Sequence, residues 1–321
     1  MLLIVNKLKP KGLSTKTMNS YEQTLRLFIQ WLKNECDIRE TEKINETIVK
    51  QYITSIKERG KYTVVTNEHT KKINCPEHRQ DFGKKVSLAT VNNYTRNLRV
   101  YFNYMYDNRL IKTNPMKKIT VIKTPRKVKG YIEDIDFNRL LKCFDLSKFH
   151  EYRDFVITQL IFDTGMRLGE CLLIKDETDI NFTERTIFLP ADNTKGKKDR
   201  YVFFSIQMAT ELRRWLQYRD RYKDSEYCFC TIRGTVLGVR SFESNFTNYG
   251  ERIGKKEIHP HQLRNNFAKR FLIEGGDIYV LSKILGHSSV QVTEQAYLDL
   301  DTNDLRNKYQ KYSPLMNLNR T

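Results

Sequence analysis

No apolar run in this chain approaches the roughly 20 residues that a helix needs to span a bilayer. The short apolar opening of "MLLIVNKLKPKG" is too brief for a signal-peptide core and has no small-residue cleavage site. A cytoplasmic, non-membrane protein is therefore expected. Cysteine pairs are missing as well. Cys36, Cys75, Cys143, Cys171, Cys228 and Cys230 are scattered without a single CxxC, which argues against a disulfide framework and fits thiols kept reduced. Cys75 and His78, with His69 nearby, are too few ligands for a structural metal site. No Gly-rich loop of the phosphate-cradling kind is present, and no carboxylate cluster suits Mg²⁺. Neither metal nor nucleotide cofactor is expected.

Acidic residues are also in short supply. Against 56 Lys and Arg stand 38 Asp and Glu, a net charge of +18. A surplus of that size favours a polyanionic partner, nucleic acid before an anionic membrane. The hydrophobic share of 39% is enough to fill a core. At roughly 100 to 200 residues per domain, the 321 residues make about two.

Helical spacing recurs in the first part: Tyr21, Leu25, Phe28 and Leu32, with Ser14 as a possible N-cap, then Val91, Tyr94, Leu98, Phe102 and Met105. The second of these helices carries Asn93, Arg96 and Asn97 on its other side, candidates for contact with DNA. Between them "INETIVKQYITSIKERG" reads as another helix ending at Gly60, and 61–85 as a long polar loop without helical period. The proline-containing, lysine-rich stretch "TNPMKKITVIKTPRKVKG" reads as extended. Lys123, Arg126 and Lys127 within it are candidates to lie along a phosphate backbone. The expected domains are a helical unit over 1–118, a linker over 119–130 and a second unit over 131–321. In that second unit "RTIFLP" and "RYVFFS" flank the basic tip "ADNTKGKKD" as a hairpin, and the remainder is helical. The fold class is mainly α with a small β-sheet.

Four stretches of the second unit carry reactive or phosphate-binding side chains. "DTGMRLGE" holds Arg167 with Glu170 one turn on, and "NTKGKKDR" sets Lys195 beside Gly196. "HPHQLRNNFA" holds His261 and Arg264 three apart, hence on one helix face, and "LGH" gives His287, with Tyr297 ten residues later. Singly, each has an ordinary reading: an ion pair between Arg167 and Glu170, a solvated lysine, a capping histidine, a core tyrosine.

In this order, "TG-apolar-R-x-x-E", "K-G-x-K-x-R", "H-x-L-R" and "L-G-H…Y" resemble the tyrosine recombinases, the phage-integrase family. The helical first unit, with its "LS-x-x-T" opening and "TNPMKKI" exit, resembles that family's SAM-like core-binding domain, so the resemblance runs from about residue 12 to the end. No separate arm-binding domain is expected ahead of it. The resemblance implies an α+β catalytic domain in which Arg167 and Arg264 clamp a scissile phosphate, Lys195 protonates the leaving 5′-oxygen and His261 transfers protons. His287 would bond the phosphate, Tyr297 would attack, and Glu170 would support the site from behind. It further implies double-stranded DNA with inverted-repeat core sites as substrate, a homotetramer on two sites, and a helix after Tyr297 that contacts a neighbouring protomer. An accessory DNA-bending or directionality protein is a further expected partner, and a mobile genetic element the expected setting.

Elementary chemistry agrees with those roles. Guanidiniums strengthen their grip as charge builds on a phosphate. A phenol with a pKa near 10 needs an acceptor or a positive field to attack, and a departing alkoxide needs an acid. Two rivals stay open: a type IB topoisomerase with the same chemistry, and an inert DNA-binding regulator on the same fold. Two departures from the family pattern stand out: Asn265 where many relatives have His, and the length of 61–85.

Overall fold

The computed structural model describes residues 13–66, 68–124, 130–194, 196–222 and 224–297, together with Arg306, Tyr309, Gln310 and Leu315, and the backbone alone for 68–70 and 295–297. The helix expected after Tyr297 therefore lies largely outside the described residues. The chain divides into two compact units, 1–126 and 127–321.

The first unit is helical, and its helices start where capping chemistry allows. Ser14 and Ser87 each accept a backbone N–H in the first turn of α1 (Thr15–Trp31) and α4 (Leu88–Asp107), and Asn45 does so for α2 (Glu46–Glu58). The apolar stripes predicted from spacing meet in one core: Leu25, Phe28 and Leu32 from α1 and the turn after it, Val49, Tyr52 and Ile56 from α2, and Val91, Leu98, Phe102 and Met105 from α4. The segment 61–85 departs from the expected loop. It contains α3 (Glu68–Asn74) and a short 3-10 turn (Pro76–His78), and a bridge between Gly60 and Lys85 closes its neck. Helical period was hidden there because α3 is short and its described positions 71–74 are exposed, leaving no apolar face to read.

Two further expectations change. Asn97 was a candidate for DNA contact, but it is buried, and its amide reaches Ser20 and the Thr24 hydroxyl (2.9 Å) on α1. It joins two helices rather than facing a ligand, whereas Asn93 and Arg96 remain exposed. The linker expected from 119 also begins later. Ile119 is buried in the first core, and Asn92 holds the Ile122 backbone through both its N–H and its carbonyl, at 2.9 Å each. Lys123 is exposed, and Arg126 and Lys127 lie outside the described residues.

The second unit wraps helices around α6 (Phe149–Thr164), which is buried through Val156, Ile157, Leu160 and Ile161. Ahead of it lies α5 (Asp134–Lys142); after it come the short turns α7 (Leu168–Cys171) and α8 (Asp176–Asp179). An antiparallel sheet follows in the order β1 (Ile180–Asn181), β2 (Thr186–Leu189), β3 (Arg200–Phe203). Ile187, Leu189 and Val202 turn inward while Tyr201 and Phe203 are exposed, as a period of two requires. The helices α9 (Ile206–Asp220), α10 (Val239–Arg252), α11 (Pro260–Ile273), α12 (Ile278–Leu285) and α13 (Val290–Tyr297) complete the unit. Trp215 of α9 is fully buried and donates its indole N–H to the Cys228 carbonyl at 2.8 Å.

Replacing Asn97 with Ala should cost about 1–2 kcal/mol in urea unfolding, the loss of a buried hydrogen-bonded group, with DNA affinity of the folded protein unchanged. Unaltered stability combined with lost DNA binding would restore Asn97 to the DNA-contacting set.

Candidate active site

The site is built on helix ends. Gly165 stops α6 in the left-handed region at φ 67°, and a Cβ there would sit 2.2 Å from the Phe267 ring, so no other residue fits. The turn it makes leaves Arg167 as the N-cap of α7. Glu170, three residues on, reaches back to the Arg167 backbone N–H at 2.9 Å in a capping box. Gly286 ends α12 in the same way at φ 63°, close against the Arg200 side chain, so that His287 leaves the helix directly.

These ends converge on Arg264. The residue is only 2% exposed, and its guanidinium donates to the Gly165 carbonyl (2.7 Å), the Leu285 carbonyl (2.8 Å) and the His287 ring at Nε2 (3.0 Å). A guanidinium can only donate, so Nε2 of His287 accepts and the ring proton sits on Nδ1. Nδ1 in turn lies 2.8 Å from the hydroxyl of Thr293, one helical turn before Tyr297 on α13. His287 is thus an acceptor toward Arg264 in this arrangement; donating to a phosphate from Nε2 would require a different proton position.

Arg167 is half-buried and donates through Nη1 to Glu170 Oε1 at 2.9 Å. Glu170 is buried and accepts a second guanidinium, that of Arg200, at 3.1 and 2.5 Å. Burial by itself would raise the Glu170 carboxyl. The Arg200 hydrogen bonds and charge, joined by Arg167 and its backbone N–H, outweigh that and hold it below the ordinary carboxylate range. His261 is exposed at the second position of α11. Lys195 and the side chain of Tyr297 lie outside the described residues. The backbone beside Lys195 is described: a Cβ on Gly196 would lie 3.9 Å from the Gly286 carbonyl, which puts the hairpin tip next to the His287 turn. Asn265 is buried and donates to the Gly130 carbonyl at 3.3 Å, while Asn266 clasps the Ile132 backbone. The residue that departs from the family pattern is therefore spent on holding the chain's entry into the unit.

Arg200 and Thr293 were missed as parts of the site. Strand parity held a clue to Arg200, since it shares the inward face with Val202 and a charged inward position calls for a buried partner. Nothing in the sequence distinguished Thr293.

The phage integrase family pattern matches residues 131–304, more than half of the chain, and the phage integrase N-terminal SAM-like domain matches 5–69. The chain belongs to the phage integrase family and is an enzyme of the tyrosine-recombinase type. Among similar curated proteins are a tyrosine recombinase XerC of Oceanobacillus iheyensis, 26% identical over 97% of this chain and 94% of the relative, and one of Thermodesulfovibrio yellowstonii, 28% identical over 95% and 92%. Among solved structures, the Tn1549 transposon integrase with circular intermediate DNA aligns at a TM-score of 0.73 and 16% identity, covering 95% of this chain and 97% of that one. The XerH recombinase on palindromic difH DNA aligns at 0.69 and 19%, covering 97% and 84%. Both likenesses are of fold. A small sheet within a mainly helical recombinase, as expected from the sequence, is what the chain has.

Two measurements probe the site. Because the folded-state pKa of Glu170 is depressed, its contribution to stability is complete above the unfolded value of about 4.3 and is lost as pH falls through the folded value. Unfolding free energy measured from neutral to acid pH should fall below that point in the wild type and less steeply in Glu170→Gln. Thr293→Val keeps the shape but removes the partner of Nδ1. It should change stability by no more than about 1–2 kcal/mol, slow catalysis, and alter the ring-nitrogen NMR signature of the His287 tautomer.

Proposed function

We propose that this chain is a site-specific DNA recombinase that cuts and rejoins duplex DNA through a covalent 3′-phosphotyrosine at Tyr297. The supporting observation is Arg264, a buried guanidinium that draws the Gly165 turn and the His287 turn to one point, with Thr293 carrying the tyrosine helix to the same place. In this reading Arg167 and Arg264 hold the non-bridging oxygens of the scissile phosphate, and their hydrogen bonds strengthen as attack concentrates negative charge there. The Tyr297 phenol attacks phosphorus, its proton passing to His261 or solvent, and the 5′-oxygen leaves with a proton from Lys195. The bond energy is kept in the phosphotyrosine, so rejoining needs no nucleotide cofactor.

The substrate proposed is double-stranded DNA with inverted-repeat core sites, bound in the cytoplasm by a homotetramer that exchanges strands through a Holliday junction, in the service of a mobile element. Net charge of +18 supports a polyanionic partner, and exposed Asn93, Arg96 and Lys123 are available for it on the first unit. Three further assignments belong to the proposal: Arg126 and Lys127 on the phosphate backbone, residues beyond Tyr297 on a neighbouring protomer, and an accessory protein setting direction.

The test is covalent capture from a randomised duplex library under denaturing conditions, followed by sequencing. Wild type should yield a protein–DNA adduct enriched in one inverted-repeat sequence. Tyr297→Phe should bind the same duplex and yield none. Adducts without sequence enrichment, together with relaxation of any plasmid, would favour the topoisomerase; absence of adduct from wild type would leave an inert binder.

A further inference from the structure

Glu170 sits between two guanidiniums that treat it unequally. Arg200 forks onto both oxygens, Nη1 to Oε1 at 3.1 Å and Nη2 to Oε2 at 2.5 Å, and spends its Nε on the Ile284 carbonyl at 3.1 Å. Its side chain is 9% exposed. Arg167 makes one side-chain bond to the same carboxylate, remains 26% exposed, and its other N–H groups have no partner among the described residues. A buried carboxylate pulls strongly on any cation in reach, because little water screens it. With Arg167 as its only partner it would draw that guanidinium into the fork geometry that carboxylates favour.

We propose that Arg200 is a positioning residue for strand cleavage: by taking the fork on Glu170 it leaves Arg167 with donors to spare for the scissile phosphate. Two cations share one anion, so the cluster keeps a net positive charge at the face where Arg167 emerges. The same side chain ties β3 to the end of α12 through the Ile284 carbonyl and packs against Gly286. The hairpin bearing residue 195 and the turn bearing His287 thus share an anchor. This inference rests on the recombinase reading, in which Arg167 faces a phosphate.

A residue that only stiffens the fold and one that competes for a charge predict opposite effects when Glu170 is neutralised as well. The experiment is single-turnover adduct formation under saturating protein, on the duplex recovered by covalent capture with wild type, with DNA affinity and thermal unfolding measured alongside. Arg200→Gln should bind within about threefold of wild type and cleave about 100-fold more slowly, and adding Glu170→Gln to it should restore about tenfold, because Arg167 is then released. Arg200→Lys keeps the charge without the fork and should fall between wild type and Arg200→Gln. The inference is overturned if Arg200→Gln cleaves at the wild-type rate, or if the double variant is as slow as Arg200→Gln or slower. Should Arg200→Gln not fold, the same order is read from Arg200→Lys with and without Glu170→Gln, and the same two results overturn it. No adduct from wild type would remove the recombinase reading and this inference with it. An adduct from wild type that Arg200→Gln matches would remove the inference alone.

Discussion

A guanidinium cannot shed its charge at any pH a protein survives, so burying one commits the surrounding backbone to satisfying it. Arg264 is that commitment here. Among its partners are two carbonyls left unpaired by helix ends, at Gly165 and Leu285, and one ring nitrogen. Those carbonyls are available because each helix stops at a glycine in the left-handed region, where the final turn leaves acceptors without intrahelical donors. Weakening either stop would take an acceptor from a buried cation, so the two turns and the helix that carries Arg264 hold one another in place.

Around that anchor the electrostatics are graded from inside out. The Glu170 carboxylate lies deepest, held ionised by Arg200; Arg167 shares it and is more exposed; His261 is at the surface on the first turn of α11. A polyanion approaching from solvent meets cations first and their counter-charge last. Fixed N–H donors of this kind suit a reaction in which negative charge grows on oxygens already in contact, because the protein need not reorganise as the charge develops. The chain from Arg264 through His287 to Thr293 carries the same rigidity onto the helix of Tyr297.

The first unit shows how far pattern reading reaches and where it stops. Phe28, Leu98 and Phe102 were legible as core from their spacing, since an amphipathic helix must bury its apolar stripe. Asn97 was misjudged because a polar residue on a mostly polar face looks the same whether it meets solvent or a neighbouring helix; the Ser20 and Thr24 groups that bury it lie far away in sequence. Ile119 and Ile122 were assigned to a linker for a related reason. Two isolated apolar residues among lysines carry no period, and the Asn92 side chain that pins the second is a long-range partner.

The chain's own order of residues determined the class of the fold, the helices with strong spacing, the preference for a polyanionic partner and the set of Arg167, Glu170, Arg264, His287 and Tyr297 as one family's motif, because periodicity, net charge and short motifs are local or additive properties. Only the tertiary structure decided that Glu170 belongs chiefly to Arg200, that His287 accepts from Arg264, and that Thr293 completes the chain. Each of those depends on hydrogen bonds between groups brought together by separate helix ends and a strand, and the direction of a hydrogen bond is fixed by geometry that no spacing along the chain encodes.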